Sequence, residues 1–185
     1  FTVLLVATLV SVLTKRRVVI EAASLIATGI TLVGSIQIAL KVAESGTYAP
    51  NQYFSIEGLS AVVMLIVAFL GFITVMYSIP YLRQESADHI IGNTRAREYF
   101  ILTNLFILAM FLADTASNPI FAWISIEATT LSTAFLISFY NKPSAMEAAW
   151  KYLIINSIGL LLGFFGTLLY FTSLGSLAGN EAVTW

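Results

Sequence analysis

Hydrophobic side chains recur along the chain in long runs, broken by short polar segments. A membrane-crossing helix needs about 20 mostly apolar residues at about 1.5 Å each. Six runs are candidates: 1–13, 18–43, 58–79, 99–113, 119–140 and 148–171. The first is too short to cross, and its Phe1 in place of a Met points to a true N-terminus further upstream. Its charges, Lys15, Arg16 and Arg17, follow the apolar run instead of preceding it, the reverse of a signal peptide. Pro119 suits the first turn of the fifth helix, where its missing N–H costs nothing, and Asn118 suits its N-cap. The stretch from Asn141 to Ser144 ends that helix, and Ser144 with Glu147 has the spacing of a capping box for the sixth.

The connections 44–57 and 80–98 are too short for soluble domains, and residues 173–185 read as the start of a loop or of an element cut short. The expected fold is therefore all-α: a polytopic membrane helix bundle of about six transmembrane helices. It forms one membrane domain over residues 1–185, a piece of a longer subunit.

Composition agrees with that pattern. Hydrophobic residues make up 58% of the chain and charged residues 10%, with a mean hydropathy of +0.89. A soluble domain carries about 25% charged residues, so this chain cannot cover a water-facing surface. A net charge of -1 offers no field for nucleic-acid phosphates. With no Cys and one His, the chain holds no disulfide, no Cys-ligated cluster and no bis-His haem. Redox chemistry, if nearby, belongs to another subunit.

Lys and Arg in short loops orient a membrane bundle. Lys15, Arg16 and Arg17, then Arg83, Arg95 and Arg97, then Lys142 fall in alternate connections. The opposite connections hold Glu44, Glu57, Asp114 and Glu181, with Lys41 against the trend. The basic loops are expected on the cytoplasmic side, with the N-terminus and the 175–185 tail on the other.

Ionisable groups at membrane depth cost roughly 2.5–3.5 kcal/mol on insertion scales, which makes them informative. Glu127 lies about 12 Å into the fifth helix, and its short side chain cannot reach an interface. Burial favours a protonated acid and a nearby cation favours the carboxylate, so such a group can load and release a proton. Ser125, Thr129, Thr130, Ser132 and Thr133 on the same helix can hold water or bridge helices. The competing reading is a Glu locked in an interhelical ion pair. Lys151, about four residues into the sixth run, is the partner to consider for a proton relay. Equally, it can snorkel to the interface between Trp150 and Tyr152.

Glu21, Ser24, Thr28, Thr31 and Ser35 share one helical face. Helix packing is favoured over a hydrated path, with Glu21 near the headgroups beside Arg17. Tyr152, Asn156, Gly159, Gly163 and Gly166 form a second stripe, whose GxxxG pair points to close helix packing. Asn104 reads as an interhelical clamp. His89, beside Glu85 and Asp88, reads as a solvated loop residue and not a metal ligand. Asp114 sits at a helix end.

The order of these residues is familiar. Trp123-Ile-Ser-Ile-Glu127-Ala-Thr-Thr-Leu131-Ser, followed by Ala148-Ala-Trp-Lys151-Tyr-Leu-Ile-Ile-Asn-Ser157-Ile-Gly159, resembles the antiporter-like proton-pumping subunits of respiratory complex I. The likeness is greatest to the related subunit of membrane-bound nickel–iron hydrogenases and formate hydrogenlyases. Tyr77-Ser78, Tyr81, Asn104-Leu-Phe106 and Met110 also match that pattern, so the resemblance runs from about residue 58 to 170.

The resemblance implies a fold of about fourteen helices with inverted repeats, of which this chain is the N-terminal part. It implies that Glu127 matches the family's fifth-helix acid and that Lys151 matches a basic position in the sixth. The family's principal lysine belongs to a seventh helix beyond this sequence. It further implies a multi-pass subunit of a prokaryotic inner membrane. Partner membrane and peripheral subunits would carry iron–sulfur clusters, a nickel–iron centre, flavin or quinone, with no cofactor on this chain. A multi-subunit cation/proton antiporter subunit, a membrane subunit energising inorganic-carbon uptake and a non-transporting scaffold are the alternatives.

Overall fold

In the computed structural model of the chain, residues 1–14, 16–51 and 54–175 are described. They form helices α1 (Thr2–Leu13), α2 (Arg17–Ser45), α3 (Gly58–Ala87), α4 (Asn93–Thr115), α5 (Pro119–Ile137) and α6 (Pro143–Gly175). The five helices after α1 are long and apolar enough to cross a membrane. Lys15 and the 176–185 tail, for which a loop on the far side was expected, lie outside the described residues.

Helix boundaries depart from the sequence reading where a helix leaves the apolar layer. α3 continues through Pro80 to Ala87, about 45 Å of helix against a hydrocarbon layer of about 30 Å. Pro80 lacks only its own N–H, so one bond to the carbonyl of Met76 is lost while the rest of the ladder persists. The connection expected over 80–98 shrinks to 88–92.

His89 has a specific task in that turn. Its φ of 57° is the left-handed conformation, its N–H bonds the Ser86 carbonyl (3.3 Å), and Ile90 N–H bonds the Glu85 carbonyl (2.9 Å). These two bonds make a Schellman C-cap with His in the place usually taken by Gly. α5 ends at Ile137, short of the expected 140, and Asn141 turns the chain with a φ of 53°. Asn118 caps α5 as expected, its Oδ1 accepting from Ile120 N–H at 2.9 Å. The expected capping box does not form. α6 already begins at Pro143, which places Ser144 inside its first turn, and Glu147 pairs with Lys151 instead.

The 44–57 connection contains an antiparallel hairpin, β1 (Thr47–Asn51) with β2 (Phe54–Glu57), which an all-α reading did not include. Tyr48 pairs with Ile56, whose side chain is buried, and Phe54 bridges to Ala116. Phe54 also stacks against Phe1 and Phe121. The hairpin thereby ties α1, α4 and α5 together at the end that carries Glu44, Glu57 and Asp114.

α4 is the hub, packed against α1, α2, α3 and α5, while α6 packs on α5. Buried apolar residues form two clusters. One holds Ala27, Ala68 and Ile107, and the other Ile20, Val75 and Phe100. Between them, at matching heights on α2 and α4, lie Ser24 and Asn104, whose Nδ2 donates to Ser24 Oγ at 2.8 Å. Gly71 lies at the same level of α3, and a Cβ there would come within 2.9 Å of Ile107 Cδ1. Missing side-chain bulk at Gly71 lets α3 and α4 close around this polar layer. Ile36, Leu70, Phe135, Ile155 and Leu162 remain exposed, as side chains facing lipid or neighbouring helices would be.

Arg17 and Arg83 meet at one end of the bundle, whereas Lys41 lies at the other, over the Tyr48 ring. Arg17 reaches Ser86 of α3 through Nη1 (2.7 Å), and Tyr81 and Tyr140 both donate to Glu85 Oε1 at 2.9 and 2.7 Å. Partial burial, then the hydrogen bonds to Tyr81 and Glu85, push the Tyr140 phenol well above its ordinary range.

Candidate functional site

The seam between α5 and α6 is built from positions three or four residues apart on α5. Trp123 stacks on Phe164, with centroids 4.5 Å apart, and donates its indole N–H to the Leu160 carbonyl at 3.1 Å. One turn further along α5, Glu127 Oε1 accepts from Ser157 Oγ–H at 3.0 Å. The next contact is Asn156 Nδ2 donating to Thr130 Oγ1 at 2.7 Å. Ala134 and Ala149 are buried towards the basic end of these two helices. Glu127 is the ninth of nineteen residues in α5, so it sits close to mid-helix.

Glu127 is half-buried. Its Oε2 is shielded from solvent and has no hydrogen-bond partner, whereas Oε1 is held by Ser157. Among the described residues no ion pair reaches it. The competing expectation of a locked interhelical ion pair is not what the described residues form, since their salt bridges all lie elsewhere.

Lys151 and Glu127 are not brought together. Lys151 is exposed (68% of its side chain) and pairs with Glu147 one turn back on α6. It lies six residues before Ser157, about 9 Å along the helix. Gly159, Gly163 and Gly166 have open space beside them, so the close packing expected of the GxxxG pair is not made within the described residues. A cleft of about 390 Å³ opens there, lined by Tyr152, Ile155, Asn156, Gly159 and Leu160. Among the described residues no group of three or more His, Cys, Asp and Glu side chains is arranged to hold a metal.

A second buried acid was undervalued by the sequence. Glu21 is 2% exposed, and two arginines hold it. Arg17 Nε donates to Oε1 at 2.8 Å, and Arg83 Nε and Nη2 donate to Oε2, the former at 3.0 Å. Arg17 was foreseen as a neighbour. The approach of Arg83 was not, because α3 was expected to stop before it. Paired this way, Glu21 ties α2 to α3 at the basic end, directly beneath the Ser24–Asn104 layer.

What the fold and site define is a polytopic α-helical membrane protein with a lone, hydrogen-bonded carboxyl group at the middle of its fifth helix. Residues 43–89 match the family model described as NADH-Ubiquinone oxidoreductase (complex I), chain 5 N-terminus. A hydrogenase-4 component F homolog of Methylacidiphilum infernorum is 31% identical over 138 residues, 74% of this chain and 29% of that protein. NADH-quinone oxidoreductase subunit L of Escherichia coli is 30% identical over 129 residues, covering 69% of this chain and 20% of that protein.

Among solved structures, respiratory complex I from Thermus thermophilus superposes with a TM-score of 0.73 at 17% identity, over 98% of this chain and 40% of the matched one. The membrane-bound sulfane sulfur reductase, an archaeal respiratory membrane complex, gives 0.75 at 18%, over 94% and 36%. The chain is thus a homologue of the antiporter-like membrane subunits of complex I and hydrogenase-4-type complexes, as the sequence resemblance implied. It is a multi-pass integral membrane protein that spans less than a third of the two curated relatives compared here.

Proposed function

We propose that this chain is part of a proton-translocating membrane subunit. Its complex would be of the NADH dehydrogenase or membrane-bound hydrogenase kind, with the redox cofactors carried by partner subunits. The observation that carries the reading is Glu127: a carboxyl at mid-helix, in no ion pair among the described residues, with one oxygen held by Ser157 and the other shielded and without a partner among them. A lone carboxyl in a low-dielectric seam responds to the charge around it, because little water screens that charge.

Lys151 enters as the modulating charge and not as a contact partner. Held by Glu147, its field at Glu127 is largely cancelled; released, it favours the ionised acid. That field is modest, because Lys151 is largely exposed and solvent screens it. A redox event in a partner that moves the Glu147–Lys151 pair would load or unload Glu127.

The test is Glu127→Gln in the full-length subunit within its membrane complex. Proton translocation per electron pair, followed by a pH-sensitive dye in sealed vesicles, should fall at least tenfold while the peripheral redox activity with a soluble acceptor is unchanged. Full coupling in this variant overturns the proposal.

A further inference from the structure

Serine and threonine hydroxyls in these helices mostly bond the carbonyl one turn back in their own helix. Thr28, Thr31, Ser35, Ser78, Thr115, Ser125, Ser132 and Thr133 all do so. That is the default for a hydroxyl in an apolar layer, since the carbonyl is always within reach. Ser157 departs from it and directs its one proton across the seam to Glu127 Oε1. The flanking contacts fix the reach of that bond: Trp123 on Leu160 and Phe164 on one side, Asn156 on Thr130 on the other. The α5–α6 spacing at Glu127 is therefore set by three side-chain bridges.

Resting on the proton-carrying reading of Glu127, we infer that Ser157 is a positioning residue that divides the labour between the two carboxyl oxygens. Oε1 is held as acceptor by Ser157 in both protonation states, and Oε2 is the oxygen that takes up and releases the proton. The geometry supports this division because Ser157 has a single donor, already committed to Oε1, while Oε2 is shielded and has no partner among the described residues. On protonation at Oε2, Oε1 becomes the carbonyl oxygen and keeps the same hydrogen bond, so the side chain need not rotate to change state. Loading then costs no rearrangement of the seam.

The experiment is pH-difference infrared spectroscopy on the full-length protein in its membrane complex, comparing wild type, Glu127→Gln, Ser157→Ala and Ser157→Thr. The carboxylic-acid C=O band that disappears in Glu127→Gln belongs to Glu127. In Ser157→Ala that band should move to higher frequency, because its carbonyl has lost a hydrogen bond, and proton translocation should slow about tenfold, the effect of one hydrogen bond to a charged group. Ser157→Thr, which keeps the hydroxyl, should restore both. An unmoved band in Ser157→Ala, with Glu127→Gln still abolishing translocation, overturns the positioning role and leaves the proton-carrying reading standing. No band lost in Glu127→Gln overturns both.

Discussion

Two acids, one buried and one half-buried, meet different neighbours. Glu21 is enclosed by Arg17 and Arg83, and through them it fastens α2 to α3. Glu127 is held by a neutral donor, Ser157, and meets no cation among the described residues. The difference predicts contrasting mutants. Glu21→Gln leaves the largely buried Arg17 facing a neutral side chain and should destabilise the subunit by about 1–3 kcal/mol, the range for a lost hydrogen bond to a charged group. A lower thermal midpoint in detergent and poor assembly would report it. Arg83→Gln should do less harm, since Arg83 is 56% exposed and Arg17 still holds the acid. Equal damage from both would mean that Glu21 is not held as a pair of arginine contacts implies. Glu127→Gln, in contrast, should leave the thermal midpoint close to wild type, since it removes no ion pair.

At the scale of elements, packing between α3 and α4 depends on what is missing at Gly71. The Cβ of any other residue would meet the end of Ile107. Gly71→Leu should cost about 1–3 kcal/mol through overpacking, and Ile107→Ala should recover part of that loss in the double variant. Additive losses in the thermal midpoints would show that the two positions do not touch. The sixth helix shows the opposite case. Its glycine stripe faces open space and its membrane window has no buried residue, so the far side of α6 has no packing partner among the described residues.

For the whole molecule, the alternation of basic and acidic connections is a statement about which ends face the same side of the membrane. Arg17, Ser86, Tyr81, Glu85 and Tyr140 are joined by hydrogen bonds at one end, and Phe1, Phe54 and Phe121 by ring contacts at the other. Single cysteines at Arg95 and Lys142 should therefore react with an impermeant thiol reagent from one side, and a cysteine at Glu44 from the other. Labelling of Arg95 and Glu44 positions from the same side would overturn the topology.

Sequence alone determined the membrane class and the positions of the long helices, and it singled out the alternation of charged connections and Glu127 as features to test. Each follows from local quantities: run length, loop charge and the solvation cost of a carboxylate. Helix ends were less legible, because Pro80 and the polar residues after it resemble a stop signal when the helix is free to project beyond the apolar layer. Which side chains meet across helices was decided only by tertiary structure. Rotation and height of one helix against another come from the summed packing of many residues, as at Gly71 and Ile107, and no local pattern encodes them. That is why the arginine grip on Glu21, the separation of Lys151 from Glu127 and the reach of Ser157 across the seam emerge only in the folded chain.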